Sequence, residues 1–139
     1  MREIVMLYAA AYAATLLPML IIDSVWLAIM ASRLYRPTLG DMALEGVRWP
    51  PAIAFYLLYP AGLVILAVLP AVKAGQLSQA ALYGAVLGIS AYGTYDLTNH
   101  ATLRLWSWQF TLVDMAWGTL LSAIAATIGA WVAGRFAGG

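Results

Sequence analysis

IVMLYAAAYAATLLPMLIIDSVWLAIM, the run from Ile4 to Met30, contains one charged residue, Asp23. About twenty apolar residues cover the hydrocarbon core of a bilayer, so this run is long enough to cross it as a helix. Met1-Arg2-Glu3 ahead of it gives the look of a signal peptide. The apolar run is too long for a signal h-region, however, and is read as a retained span.

Three further runs obey the same logic, from about Pro50 to Pro70, Ala80 to Leu97 and Gln109 to Ala133. The sequence thus predicts an all-α integral membrane four-helix bundle with spans at about 4–30, 50–70, 80–97 and 109–133, forming a single transmembrane domain over residues 1–139. Long, non-alternating runs rich in alanine and leucine exclude a membrane β-barrel. Pro50 and Pro51 suit the first turn of the second helix. Pro60 should kink that helix and Pro70 should end it. The connections are residues 31–49, with Arg33, Arg36, Asp41, Glu45 and Arg48; residues 71–79, with Lys73; and residues 98–108, with Asn99, His100, Arg104, Trp106 and Trp108.

Composition agrees. The 139 residues are 64% hydrophobic and 9% charged, against about a quarter charged in a soluble domain. A net charge of +1 without a basic stripe excludes a nucleic-acid partner. The absence of cysteine excludes disulfides and thiolate metal sites, and the one histidine excludes bis-histidine haem and three-histidine zinc within one chain. No cofactor and no metal is expected. Small residues mark helix packing: Gly84 and Gly88, continued by Tyr92; Gly118, Ser122 and Ala126; and Ala10 and Ala14 on the first helix.

Threading the chain up and down gathers its polar residues. One side of the membrane, end A, receives residues 1–3, the turn at 71–79 and the C-terminus. The other, end B, receives the connections 31–49 and 98–108. Asp23, late in the first helix, Asp96, late in the third, and Asp114, early in the fourth, all fall toward end B, with five of the six tryptophans. Basic residues number three at end A (Arg2, Lys73, Arg135) and four at end B (Arg33, Arg36, Arg48, Arg104), which leaves the orientation undecided. An ionisable group inside a membrane helix costs a few kcal/mol or more. The acids should therefore face a partner, water or substrate; the competing reading is that they sit near helix ends and reach the head groups.

Asp23-Ser24-Val25-Trp26 and Asp114-Met115-Ala116-Trp117 share the pattern Asp-x-x-Trp, with acid and indole on one helical face. The indole can shield the carboxylate and donate its N–H to a neighbour. The stretch Tyr92 to Thr102 adds hydroxyls, a carboxylate, an amide and an imidazole. If the helix continues, Asp96 is placed to orient His100 for acid–base work; alternatively Asn99 and His100 cap the helix end. The candidate catalytic residues are Asp23, Asp96, His100 and Asp114, and the candidate substrate-binding residues are Tyr95, Asn99, Arg104, Trp26, Trp117 and Arg48. Tyr56 and Tyr59 read as packing or kink-bracing residues.

The run YGTYDLTNHATLRLWSWQFTLVDMAWGTLLSA (residues 92–123), with Asp23-x-x-Trp26 and Phe55-Tyr56…Tyr59-Pro60, resembles an uncharacterised family of small bacterial membrane proteins, domain of unknown function 2177. The resemblance implies a four-span bacterial membrane protein and supplies no activity; a multi-pass place in a bacterial inner (cytoplasmic) membrane is expected. Three functions compete. The first is an enzyme acting on a membrane lipid or fatty acyl group, with the acids exchanging a proton and an arginine holding a phosphate head group. The second is a proton- or cation-coupled small transporter working as a homodimer. The third is an accessory subunit of a larger membrane complex.

Overall fold

The computed structural model describes residues 1–138. Among the described residues there is no strand, and four long helices pack up and down. They are α1 (Arg2–Met42), α2 (Trp49–Ala74), α3 (Leu77–Thr102) and α4 (Trp108–Phe136). Helices α1, α2 and α4 are long and apolar enough to cross a membrane. Helix α3, with Ser90, Thr94, Asp96, Thr98 and Asn99 in its second half, is long enough but less apolar.

The helices run past several of the expected ends. Beyond Met30, α1 widens into a π turn at Ala31–Tyr35, resumes over Arg36–Leu39 and finishes in a 3-10 turn at Gly40–Met42. Pro37 falls in the first turn of the resumed segment, where its missing N–H is tolerated. Gly40, at φ 55°, is where the chain first leaves α-helical geometry altogether. Much of 31–49 is therefore helix rather than loop. Pro70 does not end α2, because a π turn at Val64–Val68 precedes it and a wider turn relieves the clash of the ring with the preceding carbonyls. Helix α2 ends at Gly75, φ 68°. There the Gln76 N–H bonds to the Ala71 carbonyl at 3.1 Å and the Gly75 N–H to the Val72 carbonyl at 3.2 Å, a Schellman closure. Helix α3 continues past Leu97 to Thr102, so Asn99 and His100 lie within it. Ser107 caps α4, its Oγ accepting the Phe110 N–H at 3.0 Å.

Buried positions recur every fourth residue. Helix α1 buries Ala11, Thr15, Met19 and Asp23; α3 buries Ala80, Gly84, Gly88 and Asp96, with half-buried Tyr92 in register; α4 buries Asp114, Gly118, Ser122, Ala126 and Ala130. The α3 and α4 stripes mesh backbone to backbone. A Cβ on Gly84 would stand 2.7 Å from the Ser122 carbonyl oxygen, and one on Gly88 2.6 Å from the Gly118 carbonyl oxygen. The ring of Tyr92 covers Gly118. On α1 the small-residue step is Ala11 and Thr15 rather than Ala10 and Ala14. Thr15 closes against Gly129, and its hydroxyl bonds back to the Ala11 carbonyl at 2.7 Å, so no unsatisfied polar group enters the seam.

Candidate functional site

The same four-residue period delivers Asp23, Asp96 and Asp114 to the end-B half of the bundle, where they are 5%, 0% and 6% exposed. They point inward and do not reach for head groups. Asp23 accepts the Trp117 indole N–H at 2.9 Å and the Tyr56 hydroxyl. Asp114 accepts the Tyr35 hydroxyl at 2.7 Å, and the Tyr35 oxygen in turn accepts the Trp26 indole N–H at 2.7 Å. The two Asp-x-x-Trp motifs are thus interlocked. The indole of α4 serves the acid of α1, and the indole of α1 reaches the acid of α4 through Tyr35. The indoles stack face to face, with centroids 4.2 Å apart and planes 3° from parallel.

Asp96 differs from both. Among the described residues, neither of its oxygens meets an N–H or O–H donor. Its carboxyl is buried in the α3–α4 seam beside Asp114. Two carboxyls attract in such a contact only when a proton lies between them, since two bare carboxylates repel. Among the described residues, the donors to the three acids are Tyr35, Tyr56 and Trp117, and none is a basic side chain.

Asp23 and Asp114 open onto a cavity of about 420 Å³ whose other walls are chiefly rings: Tyr35, Phe55, Tyr56, Tyr92, Tyr95 and Trp117. All four helices contribute. The π turn in α1 matters here, because its extra residue carries the chain round so that Tyr35 faces Asp114.

His100 stands outside this group. Its Nδ1 lies 3.0 Å from Thr111 Oγ1, which accepts the Trp106 indole N–H at 3.0 Å, and its ring packs edge-on to Trp108. Four residues advance a helix about 40° beyond a full turn and about 6 Å along its axis. While Asp96 enters the α3–α4 seam, His100 therefore meets the first turn of α4. The expected Asp96–His100 pair is not formed, and neither is a cap by the Asn99 side chain; it is the Asn99 carbonyl that closes the helix end, accepting the Leu103 N–H at 2.8 Å.

The candidate binding residues divide. Tyr95 and Trp117 line the cavity, and Trp26 stacks behind Trp117. Arg104 joins Arg33 at a separate depression of end B with Thr38, Ser107 and Gln109. Arg48 is exposed ahead of α2, and Asn99 is half-buried on α3 outside the cavity lining. Tyr56 is a carboxylate donor rather than a brace, whereas Tyr59 packs as expected on Phe55 and pairs its hydroxyl with Ser122 at 2.6 Å. Tyr35 and Phe55 are the wall residues that spacing alone did not single out. Tyr92, read as continuing the Gly84, Gly88 step, stands on the line that leads to Asp96.

This arrangement can hold a proton between two acids and present negative charge to an apolar, aromatic chamber. Among the described residues no cluster of three or more histidine, aspartate or glutamate side chains is gathered as a metal would need. No curated protein and no solved structure matches the chain. The family described as predicted membrane protein (DUF2177) matches residues 8–131, a range that takes in all three acids, both Asp-x-x-Trp motifs and every ring of the cavity. The chain therefore belongs to the DUF2177 family of predicted membrane proteins.

Proposed function

We propose that this is a four-span protein of a bacterial inner membrane that binds a small molecule in its end-B cavity and couples that binding to proton movement through Asp96 and Asp114. The observation that carries this reading is the set of buried acids: Asp23 and Asp114 open onto the cavity with only phenol and indole donors among the described residues, and Asp96 is buried in the adjoining seam without a donor. Buried acids of this kind are the usual coupling groups of membrane carriers. A crossing by α3 is supported by the way its hydroxyls are spent. Ser90, Thr94, Thr98 and Thr102 each bond to the carbonyl four residues back, so they offer lipid little polar surface.

Proteoliposomes test it. A solute gradient should drive proton flux in the wild type and in His100→Ala, and no flux in Asp96→Asn or Asp114→Asn. Flux that persists in Asp96→Asn overturns the reading.

One observation favours lipid chemistry as a second reading: Arg33 and Arg104 converge at end B in a depression suited to a phosphate. The separation of His100 from the acids removes the imidazole from that mechanism. Phospholipid hydrolysis abolished by Asp96→Asn would restore it.

A further inference from the structure

The charge balance of the cavity narrows what it takes. Two carboxyls, Asp23 and Asp114, line it, and a proton shared between Asp114 and the buried Asp96 leaves that pair with a single negative charge. Among the described residues, every donor to the acids is a neutral phenol or indole. Carboxylates held only by neutral dipoles in an apolar surround attract a cation, which can take the place of the shared proton without adding to the net charge. A bare metal ion requires converging oxygen or nitrogen ligands; among the described residues no group of three or more histidine, aspartate or glutamate side chains gathers in that way, and the walls beside Asp23 and Asp114 are chiefly rings. At about 420 Å³ the space matches an organic molecule rather than a single ion.

We infer that the cavity is a site for a monovalent organic cation with an apolar body, its charge set between Asp23 and Asp114 and its body against the rings of Tyr56, Tyr92, Tyr95 and Trp117. The ring faces attract such a cation directly, most strongly where water is absent. An amine or quaternary ammonium fits, whereas a sugar or an anion would leave the carboxylates opposed. The inference rests on the cavity being the binding site proposed above and names its ligand class.

Exchange balances simply. As one monocation enters beside Asp23 and Asp114, the proton between Asp96 and Asp114 leaves to bulk water, and the net charge of the three acids with their occupant is unchanged. The other titratable groups facing this pair are Asp23 and Tyr35 from α1, Tyr56 and Tyr59 from α2, and Tyr92 and Tyr95 from α3. All but Asp23 are phenols, so the released proton belongs to a carboxyl.

The test is calorimetric titration of the full-length protein in nonionic detergent with benzyltrimethylammonium and, separately, its neutral carbon isostere neopentylbenzene, each against protein-free micelles. Saturable binding of the cation alone is expected, with about one proton released per site in weak buffer. Asp23→Asn and Asp114→Asn should weaken binding at least tenfold, and Tyr95→Leu by about fivefold, with Tyr95→Phe restoring it. Tyr95 is half-exposed, so its variants should fold even if the aspartate variants do not. Glu3→Gln, at end A, should bind as the wild type. Equal binding of the isostere, or wild-type affinity in Tyr95→Leu together with Asp23→Asn, overturns the inference. Cation binding without proton flux in liposomes would instead overturn the transport reading and leave the ligand class standing. Flux driven only by a neutral solute would do the reverse.

Discussion

The α3–α4 seam behaves in opposite ways at its two ends. Toward end A, Gly84 and Gly88 press on the backbone of Gly118 and Ser122 and leave no room for a side chain. Toward end B the same stripe presents Tyr92 and Asp96, and the facing stripe presents Asp114. There the contact becomes a ring over Gly118 and one carboxyl against another. Size along a single line of residues thus sets where the bundle is sealed and where it holds a chamber. The sealed half is what allows the other half to keep partly unneutralised acids, since a region of low polar satisfaction persists only when its surroundings fix it in place.

The largest effect should come from the sealed half. Gly88→Leu forces a side chain into the Gly118 backbone and should cost about 3 kcal/mol or more, read as a lower midpoint of unfolding in mixed micelles. Gly62→Ala, which would meet nothing within 4 Å, should be neutral or up to about 1 kcal/mol stabilising. If the two variants unfold alike, the seam does not hold the fold. Tyr56→Phe comes next, because it strips a hydroxyl from Asp23 and should cost about 1.5–3 kcal/mol, as charge-assisted bonds do. Tyr59→Phe loses only a neutral hydroxyl pair with Ser122 and should cost about 1 kcal/mol; the reverse order would mean that Tyr56 does not serve the acid. His100→Ala should cost about 1 kcal/mol through the bond to Thr111 and leave cation binding intact. Loss of binding in that variant would join two polar networks that the fold holds apart. Smallest in stability is Asp96→Leu, within about 1 kcal/mol of wild type, because it removes a buried carboxyl whose partner is another acid rather than a donor residue. The same variant should lose proton release completely, and that divergence of stability from coupling is the sharpest mark of the open half.

The membrane helices were legible because a run such as Ile4 to Met30 has no other way to bury its side chains. The gathering of Asp23, Asp96 and Asp114 at one end came from threading alone. Their inward direction follows four-residue steps, Ala11 to Asp23, Ala80 to Asp96 and Asp114 to Ala130; the small-residue pattern marked Gly84 to Tyr92 and Gly118 to Ala126 but on α1 pointed to Ala10 and Ala14, one residue off the buried line. Tyr35 was hidden because it lies beyond the apolar run, in residues that read as loop, and it is aimed by a π turn that leaves no compositional trace. The pairing of His100 with Thr111 rather than Asp96 depends on a displacement of about 40° round the helix, which spacing rules do not resolve. The exchange of indoles between the two Asp-x-x-Trp motifs is a tertiary fact, since each helix alone suggests that acid and indole serve one another.

The wide turn at Ala31–Tyr35 makes the molecule unusually tolerant of a one-residue change in chain length at one place. Each residue of an α-helix rotates the chain beyond it by about 100°. Deleting exposed Ser32 would let that turn relax to ordinary winding with almost no change in bulk or polarity. Because a π turn is an α turn holding one extra residue, Tyr35 to Met42 would keep their phase, and Tyr35 its place between Trp26 and Asp114. The same deletion in the regular winding between Asp23 and Met30 would instead turn that phenol away from its acid.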